Sequence, residues 1–225
     1  MTRETLTKQI QQIQDEVLLL GSMVEQATLR SVSTLKNRNT LEARQVFNDD
    51  HLINEKRFAI ENAILILIAT QQPMAHDLRL LAAMMEVITE LERMGDYAKG
   101  IAKITMRLQD SPVSIPIRDI EKMAEMAVDM LHRSLSAFIA ENPNLAYKIS
   151  SEDDKVDALY NQVYKTIVAG MISDPQLIDH SNLLMWVVHN LERLADRVTN
   201  ICERTVFIAT GELAEMDTSD EEDNE

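Results

Sequence analysis

The sequence predicts an all-α fold of two tandem antiparallel three-helix bundles, six long helices related by an internal repeat. Three observations carry that expectation. Gly and Pro together make only 10 of 225 residues, about a third of the usual share, whereas sheets joined by tight turns need more of both. Apolar residues recur three or four apart over segments of about 25 to 35 residues, which is the period of one helix face. A six-residue motif returns after 100 positions: Leu91-Glu92-Arg93-Met94-Gly95-Asp96 and Leu191-Glu192-Arg193-Leu194-Ala195-Asp196 share four identities.

The first helix spans Leu6 to Leu35, with Ile10, Ile13, Val17, Leu20, Val24, Ala27 and Val32 on its stripe. Asn37-Arg38-Asn39-Thr40 follows as a turn and N-cap. The second helix runs from Leu41 to Thr70 and stops at Gln71-Gln72-Pro73, because the residue before proline avoids the helical region. The third covers about Ala75 to Gln109. Ser111-Pro112-Val113-Ser114-Ile115-Pro116 then breaks the chain, so the expected organisation is a first unit at 1–110, a linker at 111–116 and a second unit at 117–211. In that unit helices are expected at Ile117–Ala140, Leu145–Ile172 and Gln176 to about Gly211, separated by Glu141-Asn142-Pro143-Asn144 and Ser173-Asp174-Pro175. The 13 Met fall mostly on helical stripes and read as core filler.

Charge and composition exclude several functions. The formal net charge is −15, and eight of the acids lie in residues 212–225, which hold no Lys or Arg. That segment is expected to be a disordered acidic tail. An acidic body is a poor partner for nucleic acid, whose affinity rests on Lys and Arg displacing counterions. The longest uncharged stretch, Asn62 to Ala75, falls short of a membrane span. No secretory leader is evident, and the single Cys202 offers no disulfide framework, so a cytoplasmic location is expected. Neither a phosphate-binding glycine loop, a dinucleotide fingerprint nor a His-Glu-x-x-His motif occurs. No catalytic residues are assigned, and an enzyme is not expected.

The candidate site lies in carboxylates at helical spacing. Glu92 and Asp96 sit one turn apart beside the apolar stripe, as do Glu192 and Asp196. On the preceding helices Asp50 and Asn54 in the first unit correspond to Asp153 and Asp157 in the second, at an offset of 103. Like charges at i, i+4 slightly destabilise a helix, so their recurrence suits a bound cation. Oxygen ligands favour Mg²⁺, Mn²⁺, Ca²⁺ or iron, with zinc also a candidate, and His189 could add a nitrogen one turn before Glu192. With 37 acids in the chain, a salt-bridge network with Arg57, Arg93 and Arg193 is the competing explanation. Taken by itself, His189 reads first as an ordinary, partly exposed helical histidine.

These motifs, together with Gln72-Pro73-Met74-Ala75-His76-Asp77-Leu78-Arg79, resemble the PhoU family over residues 5 to 211. The resemblance implies a cytoplasmic negative regulator of the phosphate-starvation response. It would link the ATPase subunit PstB of a phosphate ABC transporter to the sensor histidine kinase PhoR, reach the membrane only through those partners, and form a homodimer. It also implies metal ions at the Glu-x-x-x-Asp faces, with Asn200 matching a family position one turn after Asp196. Gly100 stands in place of Asn200 in the first copy and Lys103 in place of Glu203. The first site is therefore expected to bind metal more weakly. A metal-dependent hydrolase and a passive helical scaffold or metal store are the alternative functions.

Overall fold

The computed structural model describes residues 3–109, 111–213 and 216. Apart from Glu212, Leu213 and Met216, the expected acidic tail lies outside the described residues. Among the described residues there are seven α-helices and no strand: α1 (Arg3–Asn37), α2 (Thr40–Gln71), α3 (His76–Arg107), α4 (Ile117–Ile139), α5 (Pro143–Ser150), α6 (Asp153–Ser173) and α7 (Ile178–Thr210).

The boundaries follow local chemistry. Asn39 caps α2 by accepting from the Glu42 backbone N–H at 3.1 Å, which satisfies one of the first-turn donors, while its amide donates to the Glu42 carboxylate at 3.2 Å. Gln72, at φ +48°, closes α2 just before Pro73. Asn142 caps α5 in the same way as Asn39, accepting from Leu145 N–H at 3.1 Å, with Pro143 in the first turn where its missing donor costs nothing. Gly211 ends α7 at φ +81°, a left-handed conformation that glycine adopts without a Cβ penalty.

One expected helix is divided. The segment foreseen as a continuous helix over Leu145–Ile172 breaks at Ser151-Glu152 into α5 and α6. Glu152 is drawn into a bidentate pair with Arg133 of α4, at 3.0 and 2.6 Å. Asp153 thereby becomes the first residue of α6 rather than a mid-helix position. A 3-10 turn at Pro175–Leu177 leads into α7.

The first three helices pack on one another, as do α4 to α7, and the two halves meet through α3 against α7 and α1 against α4. The buried core is continuous across them, from Ile10 of α1 to Ile208 of α7. The Ser111–Pro116 linker has no regular structure, and Arg38 holds it from the α1–α2 turn by donating to the carbonyls of Leu108 (3.1 Å), Ser111 and Val113 (2.8 Å). No helix among the described residues is long and apolar enough to cross a membrane.

Candidate metal centre

The α3–α7 seam has a regular register. Glu86 pairs with Arg204 (3.0 Å), Glu90 with Asn200 (3.2 Å), and the Arg193 guanidinium lies 5.0 Å from the Tyr97 ring centre. A Cβ on Gly100 would meet the Asn190 amide at 2.9 Å. Positions rising along α3 thus meet positions falling along α7. Since the two helices carry the same motif 100 residues apart, the halves are related by an approximate two-fold axis across this seam.

Each half places its carboxylates where α3 or α7 meets the preceding helix. In the second half Asp153 and Asp157 of α6 and Asp196 of α7 each offer an oxygen within 4.8 Å of the others. Asp153 is buried, and its Oδ1 has no hydrogen-bond partner. Burial, followed by the negative charges of Asp157, Asp196 and Glu192, pushes the Asp153 carboxyl up to about 8. Burial also raises the nearby Tyr160 phenol, and Glu192 adds to it. Such a group suits a small hard cation, which replaces the proton and relieves the repulsion. His189 approaches through Glu192, with Nδ1 3.2 Å from Oε2, and burial lowers its pKa and so favours the neutral imidazole.

The first half uses the same places differently. Asp50, equally buried, accepts from Lys99 Nζ at 2.7 Å and from the Asn54 amide at 3.3 Å, and Lys99 also lies 3.6 Å from Asp96. The hydrogen bond to Asp50 raises the Lys99 pKa, so the ammonium stays charged. Glu92 is raised by burial and then by Asp96, while Arg57 and Arg93 offset part of this. Gly95 permits this close packing: a Cβ there would meet Ile53 at 3.1 Å. Lys99 thus stands among the first set of carboxylates as an internal cation.

Sequence reading missed Lys99. The comparison that could have found it is Asp96-x-x-Lys99 against Asp196-x-x-Thr199, where Thr199 merely donates to the Asp196 carbonyl at 2.7 Å. The cation expected there was Lys103, which is exposed. Its counterpart Glu203 accepts from the Met216 backbone N–H at 3.0 Å. Asn200 is not brought to the Asp153 group, because its amide donates to Glu90 across the seam. Of the three arginines of the competing explanation, Arg57 pairs with Glu61 (2.9 Å) and Arg93 with Glu90 (2.7 Å) while both also act on Glu92, and Arg193 stacks on Tyr97.

The PhoU domain family model matches the chain twice, at residues 17–105 and 120–205. The chain belongs to the PhoU family. The "Phosphate-specific transport system accessory protein PhoU homolog" of Clostridium acetobutylicum is 31% identical over 217 residues, covering 96% of this chain and 99% of that relative. The homolog of the same name from Streptococcus pneumoniae is 30% identical over 214 residues, covering 95% and 99%. The crystal structure of the phosphate transport system regulatory protein PhoU from Streptococcus pneumoniae superposes with a TM-score of 0.87 at 30% identity, covering 94% of this chain and all of the other. PhoU from Pseudomonas aeruginosa gives 0.85 at 26% identity. Both PhoU matches contain one Leu-Glu-Arg motif, so the repeat seen in the residues is a repeat of the family's own domain.

Proposed function

We propose that this chain is a cytoplasmic regulator of phosphate uptake and signalling. In this reading it is an adaptor between a phosphate ABC transporter and its sensor histidine kinase, and keeps the phosphate-starvation response down when phosphate is plentiful. The observation that supports it is end-to-end similarity to relatives named as accessory proteins of phosphate-specific transport. The adaptor works through protein contacts and performs no reaction of its own. Self-association belongs to the same reading: Phe58, Leu65 and Ile66 leave an apolar face of α2 exposed, and a monomeric mass in solution would count against it.

Asp153, Asp157 and Asp196 hold a divalent or trivalent ion in this proposal, with Glu192 and His189 beside it. The unpartnered Asp153 oxygen and the three converging carboxylates support this assignment. The ion neutralises the group and ties the start of α6 to the middle of α7, which stiffens one outer face for a partner.

The test is alkaline phosphatase activity, a reporter of the starvation response, in phosphate-replete cells lacking the gene. High activity is expected, returning to low when the intact chain is supplied and remaining raised with Asp153→Ala and Asp196→Ala together. Low activity in the deleted strain would overturn the regulatory reading and bring forward a scaffold or hydrolase.

A further inference from the structure

At the α3–α7 seam the surface changes sign. An open recess of about 400 Å³ is lined by Arg93, Asp96 and Tyr97 of α3 and by Arg193 and Arg197 of α7. We propose that this recess binds a phosphate-type dianion, free or as the end group of a small phosphomonoester.

The duplication itself assembles the site. Arg93 and Arg193 are equivalent residues of the two motifs, and the antiparallel crossing of α3 and α7 turns both toward one recess. Arg197 stands at the place equivalent to Tyr97 and supplies a third guanidinium. Carboxylates are few beside these cations, and Arg197 is held by Tyr97 as well as by Glu90. Glu90 is largely buried and already shared by Arg93 (2.7 Å), Arg197 (3.4 Å) and Asn200 (3.2 Å). Arg193 has no carboxylate partner among the described residues and rests on the Tyr97 ring. The Nε–H of Arg197 is buried without an acceptor. Asp96, the other carboxylate at the rim, also lies 3.6 Å from Lys99.

Planar guanidiniums match tetrahedral oxyanions by paired N–H···O⁻ bonds, and a dianion satisfies several at once. A recess bounded by five side chains accommodates one such group with space for a small ester, but offers no track for an extended acidic peptide. The inference does not rest on the regulatory reading, because the recess is built wholly from α3 and α7 and its binding is measured on purified protein.

The experiment titrates inorganic phosphate, and separately glycerol 3-phosphate, into the purified full chain with chelator present and ionic strength fixed, by calorimetry. Saturable one-to-one binding is expected for at least one of them, the tighter naming the source. Arg193→Gln, which leaves the Glu90 cluster intact, weakens binding about ten-fold. Glu90→Gln keeps an acceptor for Asn200 yet frees two guanidiniums, and strengthens binding several-fold. Asp153→Asn leaves it unchanged. Absence of saturable binding at tens of millimolar, indifference to Arg193→Gln in a folded variant, loss with Asp153→Asn, or binding only of a Glu-rich peptide would each overturn the proposal.

Discussion

Asp50 and Asp153 stand at equivalent positions, 5% and 4% exposed, in opposite electrostatic settings. A carboxylate removed from water keeps its charge only beside a cation. Asp50 has Lys99, whereas Asp153 faces further carboxylates and holds its proton up to about pH 8. Because that value lies above the ordinary 3.8, the folded chain binds a proton that the unfolded chain releases. The contribution to stability is therefore complete at acid pH and lost as pH rises through about 8. In chelator-treated protein the melting temperature is expected to fall from pH 5 to pH 8, and Asp153→Asn to remove that decline, with a gain of several degrees at pH 8; parallel profiles for parent and variant would refute this. Elemental analysis provides a second check: Asp196→Ala loses the bound metal and Asp96→Ala retains it. Lys99→Ala strands Asp50 without its cation and is expected to cost about 2 kcal/mol in urea unfolding. The acidic residues themselves were legible from spacing, but the lysine that separates the two sites was not. A side chain of that length is assigned to a partner by packing, not by its place on a helical wheel.

At the level of elements, the α5–α6 break illustrates how periodicity conceals an interruption. Ala146, Ile149, Asp153, Val156, Leu159, Val163 and Ile167 are buried at spacings of three or four, so the pattern runs through Ser151-Glu152 without a signal. Only the Arg133 pair from α4 shows why the chain turns there. The break places Asp153 and Asp154 in the first turn of a helix, whose free amides favour negative charge there. The α1–α4 contact offers a sharper test. A Cβ on Gly21 would come within 2.2 Å of Leu135 Cδ1, in a core where Leu135 is buried. Gly21→Val is expected to destabilise by about 1 to 3 kcal/mol, seen as a lower urea midpoint with an unchanged slope. An unaffected midpoint would show that the two helices separate at little cost.

Across the whole molecule, the two halves share one core and are further joined at the end of the seam where α3 begins and α7 stops. The Gln72–Arg79 segment, whose Asp77-Leu78-Arg79 has no clear second copy, takes its role from this. His76 Nε2 meets Glu141 of the other half at 2.7 Å, and a Cβ on Gly211 would lie 3.8 Å from the Arg79 guanidinium carbon. A cation beside the end of α7 complements the partial negative charge of its last carbonyls. Calorimetry is therefore expected to show one unfolding transition rather than two, and Arg79→Ala to lower it without splitting it. Two resolved transitions in the parent protein would mean that the halves fold independently.

Sequence alone determined the helical class, the capped turn at Asn37–Thr40, the turn at Glu141–Asn144, the duplication and the candidate carboxylates, because each is written in neighbours within a few residues or in a repeat of fixed offset. Tertiary structure decided which carboxylates lie beside a lysine, where α5 ends, and which arginines converge at the seam. Those outcomes depend on distances between helices far apart in the chain, and a burial energy or an ion pair exists only once both partners have been brought into contact.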